Sequence, residues 1–215
     1  MAPGSIATIY GTGLASASTT AGGTRVVVRD QSGAEADANL LYVSSAQINF
    51  VLPDGAAAGN GVLKVMRDNQ LAGAVQIVLA SVAPGLFAAN GQATGPAAAM
   101  VVHVAADGSQ TIAPAFTCRA VGDCSTAPIS IQPNGARTYL MLFGTGIRGV
   151  SSQSGVRVTI GGVDVPVMSA GAQMQNDGLD QVNVELPGSL RGRGDVDVAL
   201  VVDGKPANVV TIRVL

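Results

Sequence analysis

The sequence predicts an all-β protein made of two tandem immunoglobulin-like antiparallel β-sandwiches that arose by internal duplication. Three observations point there. Tyr10-Gly11-Thr12-Gly13-Leu14 returns as Phe143-Gly144-Thr145-Gly146-Ile147, and Gln47-Ile48-Asn49-Phe50-Val51-Leu52-Pro53 returns as Gln181-Val182-Asn183-Val184-Glu185-Leu186-Pro187. Asp68 through Leu79 likewise echoes Asp203 through Val214 in charge, turn and alternating apolar residues, all at an offset of roughly 133 to 135 residues, as copying a module of roughly 80 residues would give. Apolar residues recur at period two in short runs, the mark of strands with one buried face, and none reads at 3.6. The 28 glycines, with abundant Val, Ala, Ser and Thr and scarce Lys and Glu, suit short strands joined by tight turns and disfavour helix.

In the first half, Ile6, Thr8 and Tyr10 form a strand leading into Gly11, Arg25 to Arg29 a second and Leu40 to Val43 a third. Ile48 to Leu52, Val62 to Met66 and Val75 to Leu79 complete the set. The stretch from about Ser81 to Asn134 has no duplicate. There Ala83-Pro84-Gly85-Leu86-Phe87 ends the first module with a turn and an apolar plug, and Gly91 through Ala99 is small and flexible. Met100 to Val104 reads as a strand followed by an Asp107-Gly108 turn; Pro114 to Phe116, a cysteine loop and Ile129 to Ile131 then run up to Asn134-Gly135. These strands are expected to join the second module. The first sandwich is therefore assigned to residues 1–88 and the second to 89–215, with a connecting insertion over about 89–134.

The second half alternates most cleanly. Val156, Val158 and Ile160 form one strand; Val163, Val165 and Val167 follow a Gly161-Gly162 turn; Val182, Val184 and Leu186 form the next. Val196, Val198, Leu200 and Val202 then lead to the hairpin signal Asp203-Gly204 and to Val210, Ile212 and Val214.

Aromatic residues are 3% of the chain and Trp is absent, so the cores must be filled by Val, Ile, Leu and Ala. Each such side chain contributes about 1.5 to 3 kcal/mol when buried. A net charge of −2 and a pI near 5.2 argue against a nucleic-acid partner, which needs a basic surface. No apolar run reaches the ~18 to 20 residues of a membrane span. Met1-Ala2-Pro3-Gly4-Ser5 lacks the basic start and apolar core of a signal peptide, and the first repeat begins almost at once. The chain is expected to be part of a longer protein whose export signal lies upstream.

Cys118 and Cys124 flank a short polar loop. Two thiols and the single His103 are too few for a zinc site, so the pair is a disulfide candidate, with free thiols as the alternative; if oxidised, it implies an extracytoplasmic compartment. Arg193-Gly194-Asp195 spells an adhesion tripeptide, but SLRGRGD reads better as an exposed loop.

At PGSIATIYGTGLA (3 to 15), YVSSAQINFVLP (42 to 53), APGLF (83 to 87), LFGTGI (142 to 147), IGG (160 to 162), GLDQVNVELP (178 to 187) and the closing DGKPANVVTIRV, the chain resembles the Solibacter-type C-terminal domain family. That family is an uncharacterised module at the ends of large secreted or surface proteins of soil bacteria, related in style to IPT/TIG immunoglobulin-like folds. The resemblance implies export and a β-sandwich. It supplies no catalytic residues, and the cysteine-containing insertion departs from it.

Gly11, Gly13, Gly144 and Gly146 lack the helix and Lys of a phosphate loop and read as strand-end turns that use glycine's freedom at positive φ. In the Gln-Ile-Asn strand, Gln47 and Asn49 share one face, and Gln181 and Asn183 repeat them; a shared structural need, such as bonding to a neighbouring loop's backbone, suits both copies better than a ligand site. Acidic residues gather from Asn176 to Asp180 and at Asp195, Asp197 and Asp203, where solvated turns are expected over a calcium site because the spacing is not that of an EF-hand. His103 lies in an apolar strand, no Gly-x-Ser-x-Gly elbow exists, and Tyr10, Phe50 and Phe143 are expected in the core, leaving few aromatics for a sugar platform. The expectation is a non-catalytic structural, spacer or attachment module of an exported bacterial protein, at the cell surface or outside the cell, with no cofactor and with the parent protein's upstream domains as partner. A binding module for polysaccharide or a cell-surface protein is the alternative.

Overall fold

A computed structural model describes residues 1–15, 23–131 and 135–215. Asn134 of the expected Asn-Gly turn lies outside them. Among the described residues the chain is nearly all strand, with two single turns of 3-10 helix at Gln153–Gly155 and Gly188–Leu190. It divides into two compact units, Met1–Ala83 with Met174–Leu179, and Pro84–Gln173 with Asp180–Leu215.

The first unit holds β1 (Ile6–Tyr10), β2 (Thr24–Arg29), β3 (Glu35–Asp37), β4 (Asn39–Val43), β5 (Gln47–Val51), β6 (Gly59–Arg67) and β7 (Gln70–Leu79). They form an antiparallel three-stranded sheet ordered β1-β5-β4 and an antiparallel four-stranded sheet ordered β3-β2-β6-β7. Period-two alternation turns one set of each sheet inward. Ile48, Phe50 and Leu52 from one layer meet Val26, Val28, Leu63, Val65, Ile77 and Leu79 from the other, all buried in one cluster. Phe50 is the single aromatic among them, so the interior is aliphatic, as the composition requires.

The second unit holds β8 (Gly85–Leu86), β9 (Ala99–Val104), β10 (Gln110–Pro114), β11 (Phe116–Ala120), β12 (Asp123–Thr126), β13 (Pro128–Ile129) and β14 (Arg137–Thr145). After these come β15 (Val156–Ile160), β16 (Val163–Val165), β17 (Val167–Ala172), β18 (Asp180–Glu185), β19 (Gly194–Val202), β20 (Lys205–Pro206) and β21 (Val210–Val214). One sheet runs β10-β9-β14-β18-β17 with β8 added on β14; the other runs β13-β21-β19-β15-β16 with β20 added on β19. Leu140, Leu142, Val182 and Val184 of the first sheet and Val158, Ile160, Val198, Leu200 and Ile212 of the second are buried.

Seven strands follow one order in both units. β1-β5-β4 corresponds to β14-β18-β17, and β3-β2-β6-β7 to β16-β15-β19-β21. The second unit adds β9 and β10 beyond β14, and β13 in parallel beyond β21. The Asp68-Asn69 and Asp203-Gly204 turns match as well, with φ of +49° and +62° in the first and +45° and +76° in the second, the left-handed pairs that tight hairpins need.

Two local details differ from the sequence pattern. Val163, Val165 and Val167 do not form one strand, because Pro166 breaks the ladder: Val163–Val165 stays beside β15, while Val167 begins β17 in the other sheet. The Ala-Pro-Gly-Leu-Phe joint contributes β8 to the second unit, where Leu86 is buried beside β14.

Candidate functional site

The repeated Gly-Thr-Gly segments end β1 and β14. Gly13 and Gly146 occupy corresponding places with φ of +65° and +71°, which only glycine adopts at no steric cost. Among the described residues no α-helix follows either one, and no row of helical N–H groups that could cradle phosphate is seen. The two turns are tied down differently. In the first unit the Leu14 N–H donates to Ser45 O at 3.0 Å. In the second, the Ile147 and Arg148 N–H groups donate to Asp180 Oδ2 at 2.6 and 3.1 Å, and Arg148 Nε donates to Asp180 Oδ1 at 2.7 Å.

Asp180 is wholly buried, with Arg148 partly exposed above it. Burying a carboxylate is tolerated only when its oxygens are bonded and its charge paired, and Asp180 has both. The sequence pattern placed this residue in a solvated acidic turn; the structure instead makes it the internal anchor of the second Gly-Thr-Gly turn. The remaining acids are dispersed. Asp177 accepts from Asn39 Nδ2 at 2.8 Å, Asp195 faces Thr126 and Arg213, and Asp203 accepts from the Ser151 N–H and hydroxyl at 2.9 and 2.8 Å. Among the described residues no three Asp, Glu, His or Cys side chains converge as a metal site would require.

The polar pairs of the Gln-Ile-Asn strands engage each other along the strand, not a loop's backbone. Gln47 Nε2 donates to Asn49 Oδ1 at 2.8 Å and Gln181 Nε2 donates to Asn183 Oδ1 at 2.7 Å. The neighbouring strand extends each pair, since Thr8 Oγ1 donates to Asn49 Oδ1 at 3.0 Å and Asn183 Nδ2 donates to Ser169 Oγ at 2.8 Å. Side chains of opposed residues share a face, which explains one departure from expectation: Tyr10 opposes Gln47 and so lies on the outer, polar face, 75% exposed. Phe143 opposes Gln181 in the same way and is half-buried, whereas Phe50 is in the core.

A further correspondence escaped the linear pattern. Arg25 clamps Asp37 through Nε and NH2 at 3.1 and 2.9 Å across β2–β3, and Arg157 clamps Asp164 at 2.7 and 2.8 Å across β15–β16. In the ladders, Val27 opposes Asp37 and Thr159 opposes Asp164, so acid and base hold the same relative places. The hairpin between them is shorter in the second unit, which hides the match from any constant offset. Bonding to Arg157 holds the Asp164 carboxyl below its ordinary range.

Asp30 caps the longer hairpin. Oδ1 accepts from the Ser32 hydroxyl at 2.6 Å and from the Ser32 and Ala34 N–H groups at 2.9 and 3.2 Å, while Oδ2 accepts from the Ala57 N–H at 2.8 Å. The Ser32 hydroxyl first, then the Ala57 N–H, lower its pKa. Beside it opens a concavity of about 570 Å³ lined by Arg29, Gln31, Ser32, Asn60 and Gln76.

Cys118 and Cys124 form a disulfide between opposed residues of the β11–β12 ribbon. His103 Nδ1 lies 3.2 Å from Thr138 Oγ1 on the adjacent strand β14. Arg193 of the Arg-Gly-Asp tripeptide is bound to backbone, donating to Ser189 O at 3.2 Å and Gly161 O at 3.0 Å. Among the described residues no helix is long and apolar enough to cross a membrane.

Comparison of the chain with models of known protein families and with curated proteins finds no match.

Proposed function

We propose that the chain is a non-catalytic structural, spacer or attachment module of an exported bacterial protein, made of two immunoglobulin-like sandwiches descended from one duplicated unit. The observation that carries this reading is the coincidence of strand order with repeated internal bonds. Both copies keep the Gln–Asn pair and the Arg–Asp clamp. These Gln, Asn, Arg and Asp side chains are thus engaged in bonds along and between strands, which supports a structural reading of them. Support for export comes from the disulfide, which forms and persists in oxidising compartments, and from the resemblance to a family of secreted C-terminal modules. The test is immunodetection of the native protein in fractions of its producing cells. Surface or extracellular protein with oxidised Cys118 and Cys124 is expected; cytosolic protein with free thiols overturns the reading.

A second reading, binding of polysaccharide or a surface protein, draws on the concavity beside Asp30. Arg29, Gln31, Asn60 and Gln76 there supply donors and acceptors suited to hydroxyl or carboxylate groups, although no aromatic platform lines it. A glycan array probed with the whole chain and with Gln76→Ala tests it, a silent array removing the glycan arm.

A further inference from the structure

The two units differ most at one side, the side flanked by β7 and β1 in the first and by β21 and β14 in the second. In the second unit chain segments close it. The Thr211 N–H donates to Gly95 O and the Ala97 N–H donates to Thr211 O, both at 2.8 Å, with Pro96 parallel to Thr211. The chain then continues as β9 along β14, and β13 covers the rest of β21. Ala97, Ala99 and Val101 point inward from this crossing segment and are fully buried.

Among the described residues no such segment runs along β7 in the first unit. Met1 covers only the end of β7, its terminal amine donating to Val78 O at 3.1 Å and its carbonyl accepting the Ala80 N–H at 2.9 Å. Alternate residues of a strand direct their backbone groups to the same edge, so Ala74 and Gln76 share that edge with Val78, up to the bulge at Ala72, and no bond from the described residues reaches them there. Gln76 matches Thr211 in the repeat, the residue whose N–H and C=O are both taken in the second unit. Beside the edge lies an apolar groove of about 180 Å³ walled by Ile9, Leu14, Leu63, Val65 and Val75. Leu71, Val75 and Val78 are 60%, 55% and 65% exposed.

Edge strands are ordinarily blunted by charge, proline or shortness. β3 carries Glu35 and Asp37, β16 carries Asp164, and β10 ends at Pro114. β7 is ten residues long with neither charge nor proline. We propose that this side binds an extended polypeptide of about ten residues, laid parallel to β7 and then past Thr8 and Tyr10 of β1, with small aliphatic side chains at alternate positions filling the groove. The occupant's chemistry is read from the second unit, where the Gly95–Val104 segment does this to the corresponding strands. The inference deepens the attachment reading and rests on it, naming the kind of partner that attaches.

The test is residue-resolved hydrogen exchange of the whole chain with a synthetic peptide of sequence Gly95–Val104 bearing a lysine tail for solubility. With free peptide at ten times its Kd, exchange at Ala74 and Gln76 is expected to slow about tenfold. A peptide with Asp in place of Ala97, Ala99 and Val101 should leave exchange unchanged. Val75→Lys, at an exposed position, should abolish the protection without altering the melting temperature, and Ala74→Pro should do the same by removing an edge N–H. Absence of slowing at β7, protection centred on Thr211 instead, or equal protection by the Asp peptide overturns the proposal. A cytosolic location found by fractionation would remove the export reading while leaving this outcome unaffected.

Discussion

Gln47 donates its side-chain amide to Asn49 two residues along the same strand at 2.8 Å, and Gln181 does the same to Asn183 at 2.7 Å. Each asparagine also bonds across to the neighbouring strand, so it joins two strands on a face open to water. A hydrogen bond of this kind contributes about 0.5 to 1.5 kcal/mol net. Asn49→Ala and Asn183→Ala should each lower the melting temperature measured by calorimetry, and an unchanged melt in both would show that the pairs contribute nothing to stability.

Asp180, wholly buried, holds two backbone N–H groups and the partly exposed Arg148 guanidinium. Removing one partner of a buried pair leaves the other charged and desolvated, at a cost of about 3 to 5 kcal/mol. Asp180→Ala is expected to reduce stability by that order in urea unfolding followed by circular dichroism. Asp177→Ala, three residues earlier on an exposed bond, serves as the mild control.

The paired glycines should respond unequally. A Cβ at Gly11 would meet the flexible end of Leu14 at 3.1 Å, whereas a Cβ at Gly144 would strike the backbone carbonyl of Gly85. Gly11→Ala is expected to be tolerated. Gly144→Ala must displace β8 from β14, and loss of protection at the Phe87 amide, which donates to Phe143 O at 2.9 Å, would report it in hydrogen exchange.

Asp30 gives the pH dependence. Its folded pKa lies below the ordinary carboxylate value of about 3.9, so its contribution is complete above that value and is lost as pH falls through the lower folded one. The melting temperature of the wild type should therefore exceed that of Asp30→Asn most at neutral pH, with the gap closing in acid. A gap constant from pH 7 to pH 2 contradicts the assignment.

Reduction of Cys118–Cys124 should have a modest effect. The bridge closes a short loop within a two-stranded ribbon, and chain-entropy arguments assign such a loop about 2 kcal/mol. Calorimetry with and without reductant should show a small downward shift with the β-sheet signal retained.

How far these features could be read from the chain follows from their range. Strands such as Val182 to Leu186 and the Asp203-Gly204 turn are legible because alternation and left-handed turn preferences act over a few residues. The Arg–Asp clamps were not, because the hairpins between their partners differ in length while the ladder places stay the same. Asp180 was misread for a related reason: next to Asp177 and Gly178 it has the local composition of a surface turn, and its burial depends on Arg148 and Ile147, more than thirty residues away in sequence. Tyr10 follows the inverse logic, since a large ring predicts burial but the register with Gln47 decides the face.

The Arg25–Asp37 and Arg157–Asp164 clamps have one more implication. Each grips the mouth of a hairpin whose tip differs in length between the two units, so tip length and strand alignment are uncoupled. Gly161-Gly162 is therefore a natural insertion point, at which a foreign loop could be displayed with the scaffold beneath it undisturbed.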